Sequence, residues 1–234
     1  MATLVDIAGS VLSQSTRRVE ISAQNIANAA TSGYKRRVAF EHLVTNGVDA
    51  TQYNRKVDSS ADFSLGKFVE TGNAFDLAIV GEGFFVVRGP SGPVLTRQGQ
   101  FERGADGRLL TPAGLALQAE GGGDVIAPDG VLTLGGDGVI LANGEPVDRL
   151  AVVRVGDLAA LAPVEGGGFS APEADMLQID RPVLRQGAYE ASNVSTGQEM
   201  VAMMEALRRA ESGQRLVTVY DDLMGRALTT FGQV

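Results

Sequence analysis

The sequence predicts an α+β fold. Long N- and C-terminal helices pack together and flank a central antiparallel β-rich domain, either a sandwich or an irregular barrel. Three observations carry this. Near the start, Val5, Leu12, Val19 and Ile26 recur every seven residues, and Ala8, Ser15, Ser22 and Ala29 follow each of them by three. That is the spacing of a helical seam, with branched residues in one row and small ones in the other. Near the end, Met200, Met203, Leu207, Ala210, Val217, Met224, Leu228 and Phe231 keep a 3–4 spacing. Between the two lie short apolar runs divided by Asp106-Gly107, Asp129-Gly130, Asp137-Gly138 and Asn143-Gly144, dipeptides suited to hairpin turns.

The first helix is expected from Ala2 to Ala30, about 40 Å at ~1.5 Å per residue. Small residues in its seam would let a partner helix approach closely. Residues 41–70 are polar and mixed, and read as an extended connector with one or two strands. Strands are expected at Phe75 to Val80, Phe84 to Arg88, Leu150 to Val155 and Leu177 to Ile179, with Gly121-Gly122-Gly123 and Gly166-Gly167-Gly168 at loop tips. Thr196-Gly197-Gln198-Glu199 reads as a capping box that opens the second helix, with the Glu reaching back to a free N–H. Gln214 and Asp221 interrupt its seam, and Gly213 and Gly225 would each cost about 1 kcal/mol inside it. The domains expected are 1–40 with 190–234 as a terminal-helix inner domain, 41–70 as connector and 71–189 as an outer β-rich domain.

Composition excludes several functions. The net charge of −8 is unsuited to nucleic acid or an anionic membrane. Residues 1–40 depart from it, with five basic groups against two acidic. The cluster Lys35-Arg36-Arg37 reads as solvated surface. Without cysteine there is no disulfide, thiolate catalysis or Cys metal site. No apolar run is long enough for a transmembrane helix, and the first residues lack the basic and apolar stretches of a signal peptide. The single His42 has no nearby partners for a metal or for general base work. Gly81-Glu82-Gly83 is not followed by a helix pattern, so it is a turn rather than a phosphate loop. The Asp-Gly turns lack the alternating oxygen ligands of a calcium loop. No Gly-x-Ser-x-Gly elbow occurs, and Asp221 and Asp222 point to different helix faces. No enzyme and no cofactor are expected. The methionines at 200, 203 and 204 are read as seam packing rather than a promiscuous groove.

The two seams lie at opposite ends of one β domain. A hairpin of the two helices alone would leave narrow apolar faces partly uncovered. Packing against copies or homologues in an assembly would cover them. An exported β-rich binding module that uses its helices only to trimerise is the rival reading, and the split seam argues against it.

The stretch AQNIANAATSGYK, Ala23 to Lys35, carries the specific signal. It closely resembles the signature of the bacterial flagellar rod and hook axial proteins, approximately Ala-Asn-Asn-Ile-Ala-Asn-Ala-Asn-Thr-Pro-Gly-Phe-Lys. Ala23, Asn25, Ile26, Ala27, Asn28, Ala29, Thr31, Gly33 and Lys35 match, while Gln24, Ala30, Ser32 and Tyr34 depart. Three further blocks are similar to the family in the same order: Thr71 to Val87, Leu95 to Gly114 and Arg185 to Arg209. Physically, Asn28 and Gly33 suit a helix exit through left-handed backbone, and Asn25 is placed to bond a neighbouring subunit. The short length and compact middle are most similar to proximal-rod members, with distal-rod and hook-type members as alternatives.

The resemblance implies a structural subunit of the basal-body rod that transmits torque. It implies export by the flagellar type III apparatus, in keeping with the missing signal peptide, and a place in the periplasm-spanning rod. The partners implied are copies of the chain and other rod and hook axial proteins, with no nucleic acid, small-molecule substrate or membrane insertion. The assembly interface expected is Val5, Leu12, Val19, Asn25, Ile26, Asn28, Gly33, Met200, Met203, Leu207, Val217 and Met224.

Overall fold

A computed structural model describes residues 4–45, 53–127, 132–164 and 167–231. The chain divides into two compact units, one of residues 1–29, 36–62 and 194–234, the other of 30–35 and 63–193. The first holds α1 (Leu4–Ala27), the hairpin β1 (Arg37–Thr45) and β2 (Tyr53–Ala61), and α2 (Thr196–Phe231). The remaining strands, β3 to β18, all belong to the second.

In the helical unit α1 and α2 pack along their length and run antiparallel: Asn25 near the end of α1 bonds Glu199 at the start of α2, and Gly213 lies against Ala8 and Leu12. The small-residue row is the buried one. Ala8, Ser15 and Ser22 are buried on α1, and Ala206 and Gly213 on α2. A Cβ added to Gly213 would stand 3.4 Å from the Ala8 carbonyl oxygen, so the glycine sits where the two backbones come closest. Helix pairs with small contact residues can approach at the short end of the usual 8–10 Å range, which explains a residue that would otherwise only weaken the helix. The branched row, Leu12, Val19 and Ile26, is half-buried, as are Met203, Ala210 and Val217 on α2. Met200 and Leu207, one row, are exposed; Met203, Ala210 and Val217 form a second row that Met224 continues in exposed form, so the expected single seam on α2 divides in two. The side chains of Val5, Leu228 and Phe231 lie outside the described ones.

Residues 41–70, expected as an extended connector with one or two strands, hold most of a regular hairpin, paired antiparallel from Arg37↔Ala61 to Thr45↔Tyr53, and then β3 (Phe68–Glu70). Residues 46–52 at its tip lie outside the described residues. Its sequence alternates Val38, Phe40 and His42 with Ala39 and Glu41, the period of a pleated ribbon. Glu41 is held to α1 by Arg18 at 2.7 Å.

The β-rich unit contains β3 (Phe68–Glu70), β4 (Leu77–Ile79), β5 (Phe84–Gly89), β6 (Gly92–Thr96), β7 (Glu102–Arg103), β8 (Leu109–Leu110) and β9 (Ala116–Leu117). They are followed by β10 (Leu132–Leu134), β11 (Val139–Ala142), β12 (Glu145–Arg149), β13 (Val152–Val155), β14 (Ala162–Val164), β15 (Gly168–Ser170), β16 (Met176–Gln178), β17 (Leu184–Gln186) and β18 (Ala188–Glu190). The largest sheet runs β14-β15-β6-β5-β9-β8-β7, with β13 pairing both β5 and β16; β10-β11-β12, β17-β4 and β18-β3 form smaller sheets. All pairings are antiparallel and, among the described residues, no sheet closes into a barrel. The core gathers Leu77, Ile79, Phe85, Phe101, Leu117 and Val152, with the Phe85 and Phe101 rings edge to face at 5.6 Å.

The Asp137-Gly138 and Asn143-Gly144 turns join β10 to β11 and β11 to β12 as their residue types direct, with Asn143 itself left-handed at φ 52°. Asp129-Gly130 and Gly166 lie outside the described residues, and Gly168, expected at a loop tip, is buried in β15 against Val94.

Gly33 combines both demands made of a glycine. Its φ is +66°, its N–H donates to the Glu190 carbonyl at 2.7 Å, and an added Cβ would lie 2.2 Å from the carbonyl carbon of Arg97. Gly72, at φ +71°, has open space around it. Gly33→Ala is therefore expected to cost about 3 kcal/mol or more, and Gly72→Ala only the ~1 kcal/mol of backbone strain, both read from urea unfolding of the purified chain.

Candidate assembly surface and the polar clamp behind it

The opening turn of α2 departs from a capping box. The Glu199 N–H donates to the Ser195 carbonyl at 3.0 Å, while its carboxylate turns away from the helix end. That carboxylate is buried, at 2% exposure. It accepts from Arg36 Nε at 2.6 Å and from Asn25 Nδ2 at 3.1 Å. Charge-assisted bonds of this kind are short and strong when their geometry is fixed.

Asn25 is fully buried and completes the clamp. Its Nδ2 donates to the Arg37 carbonyl at 2.8 Å, and its Oδ1 accepts from the Arg37 N–H at 2.8 Å. The carboxamide thus pairs with the first residue of β1 as a neighbouring strand would, and ties α1, β1 and α2 together. This corrects the expectation that Asn25 bonds a neighbouring subunit, because its amide is spent inside the chain. Asn28 is not left-handed; its Nδ2 donates to the Gln24 carbonyl at 2.8 Å, beside its own backbone N–H at 3.2 Å. Gly33, buried against the Arg97 backbone, is likewise a folding position rather than a contact surface.

Within the basic cluster, Lys35 is not solvated surface either. Lys35 is 3% exposed, and its Nζ donates to Glu190 Oε1 at 2.6 Å and to the Ser64 carbonyl at 2.8 Å. Glu190 also accepts from the Gly66 N–H at 2.8 Å and faces Arg97 Nε at 3.4 Å. Burial pushes the Arg97 guanidinium below its ordinary value, against the opposing pull of Glu190 and Glu82. A second Arg97 nitrogen, Nη2, donates to the Gly81 carbonyl. Each unit therefore has its own buried carboxylate, Glu199 in the helical unit and Glu190 in the β-rich one. Sequence reading missed both roles. A signal existed for Glu199, which shares the seven-residue row of Ala206 and Gly213.

Large apolar side chains also remain open on the helical unit. Met200, Val201, Met204, Leu207, Val219 and Leu223 are each about half exposed on α2. Among the described residues no group of His, Asp and Glu could hold a metal ion, and no helix is long and apolar enough to cross a membrane.

Comparison with known proteins agrees with this geometry. Residues 6–35 match the model of the flagella basal body rod protein family, 78–142 that of the flagellar hook protein FlgE/F/G D1 domain, and 185–230 that of the flagellar basal body rod FlgEFG protein C-terminal region. The chain is 30% identical over 233 residues to the flagellar basal-body rod protein FlgF of Caulobacter vibrioides, covering 93% of each chain. It is 27% identical to FlgF of Rhizobium meliloti, covering 92% of each, and 28% identical to the rod protein FlgG of Agrobacterium fabrum, covering 93% of this chain and 95% of that one. The chain belongs to the flagellar basal-body rod protein family. It is a structural subunit of the flagellar basal body and not an enzyme.

Removing the Glu199 carboxylate strands Arg36 and the Asn25 amide. Glu199→Ala is expected to cost about 3 kcal/mol, the usual penalty for breaking a buried pair. Combined with Asn25→Ala, it should cost less than the two single losses added together. Urea unfolding followed by helical circular dichroism measures both.

Proposed function

We propose that the chain enters the rod through its terminal helices and carries torque by the number and fit of its contacts, without chemistry. The observation that supports this is the set of exposed large apolar side chains on α2, with Met200 at 51%, Leu207 at 46% and Met224 at 45% exposure. Burying such area yields about 25 cal/mol per Å², and an isolated chain leaves that gain unused. Val5, Leu12, Val19, Ile26, Met203 and Val217 complete the surface offered to neighbours. The partners are copies of this chain and other rod and hook axial proteins, and residues 1–40 and 190–234 supply the axial core. The 30% identity to the Caulobacter FlgF, against 28% to the Agrobacterium FlgG, supports a place in the proximal rod. Export by the flagellar type III apparatus accompanies that assignment.

Mass spectrometry of purified hook–basal bodies tests the role. The protein is expected in the rod fraction, with rod assembly arrested when the gene is deleted. Its absence from that fraction, with intact basal bodies in the deletion strain, would overturn the reading. Leu207→Asp separates assembly from folding. Because Leu207 is exposed, the variant should keep the unfolding midpoint of the purified chain while its incorporation into rods falls severalfold. Normal incorporation would remove α2 from the interface.

A further inference from the structure

The helical unit carries an arginine-lined recess at one end and an unpaired acidic turn at the other. The recess, about 170 Å³, lies between α1, β1 and α2 and is lined by Arg18, Arg36, Arg37 and Arg209 together with Glu199 and Glu205. Its volume is several times the ~30 Å³ that one water occupies in the liquid. Arg18 is paired with Glu41 and Arg36 with Glu199. Arg37 Nη1 meets only the neutral Gln24 Oε1, at 3.1 Å. Among the described residues, no carboxylate pairs with Arg37 or Arg209. In a chain of net charge −8 this is a local surplus of the opposite sign.

Further along α2, Asp221 and Asp222 are exposed and have no hydrogen bond or ion pair among the described residues. Val219, at 56% exposure, and Leu223, at 59%, flank Asp222. Beside the recess, Val38 and Phe40 on β1 are exposed at 37% and 45%. Both ends therefore present charge with an apolar border, and the charges are complementary. Within one copy they cannot meet, since Arg209 and Asp222 are about 20 Å apart along a straight helix.

We propose that the Asp222 turn of one copy docks in the arginine recess of a second copy, with Val219 and Leu223 covering Val38 and Phe40. This rests on the rod-assembly reading above and gives it a register. The contact is head-to-tail, joining unlike surfaces, so it extends from copy to copy instead of closing a dimer. Charge complementarity fixes the register and penalises misaligned neighbours.

The chain has no cysteine, so introduced thiols are the only ones it carries. Full-length protein carrying both Arg209→Cys and Asp222→Cys replaces the wild type in cells, and isolated basal bodies are treated with a bifunctional thiol crosslinker as long as an extended Arg–Asp pair. A direct disulfide would demand Cα atoms within about 7 Å, closer than an arginine–aspartate contact requires. The expected result is a ladder of crosslinked dimers and larger species, absent from either single variant. Monomer alone, in basal bodies that contain the protein, would overturn the register while leaving the rod role intact. Absence of wild-type protein from basal bodies would instead fell the rod role itself. A charge exchange guards against cysteines that impair assembly. Arg209→Glu should lower incorporation severalfold, and adding Asp222→Arg should restore it. No loss in the single variant, or no recovery in the double, overturns the proposal.

Discussion

The helical unit depends on one buried carboxylate. Glu199 accepts from Arg36 and Asn25, and Asn25 in turn pairs with the backbone of Arg37. Two elements near the start of the chain and one far along it are thereby fixed at one point. A buried ion pair adds little net stability by itself, because desolvation offsets attraction. What it supplies here is register. Two helices with repeating small residues could slide by one heptad and still bury similar area. Only one alignment places Asn25 beside Glu199 and Gly213 beside Ala8.

The signature stretch that ends α1 serves both units at once. Asn25 belongs to the helical unit and meets Glu199, as does Arg36 just after the stretch; Gly33 and Lys35 belong to the β-rich unit and meet Glu190. Its unusual density of Asn, Gly and basic residues follows from that double duty. Both carboxylates lie within ten residues of each other in the chain, where it returns from β18 to α2. The exposed apolar side chains of α2 stay uncovered in the single chain.

Much of this was legible in the sequence, and the failures share a cause. The seven-residue row of Ala8, Ser15 and Ser22 gave the packing face of α1 directly, and the Asp-Gly and Asn-Gly turns marked the β hairpins. Periodicity reports which residues are apolar, so it cannot see a charged residue placed in a core by its partners. Glu199 was read as a cap because its sequence neighbourhood permits one, and Lys35 as surface because lysine usually is. The partner of each lies more than 150 residues away along the chain. The hairpin of residues 37–61 was obscured by its many polar side chains, as expected of a ribbon with a solvated face. On α2 the spacing correctly marked an apolar helix but merged two faces, one for α1 and one left open.

The central claim is that the helical unit is locked at its Glu199 end and left open along α2 for neighbours. Amide hydrogen exchange, compared between the purified chain and isolated rods, tests it most directly. The account expects amides of residues 199–213 to be protected in both states, and those of 214–231 to gain strong protection only in rods. Equal and strong protection along all of α2 in the free chain would contradict it, because the helix would then need no partner to be stable.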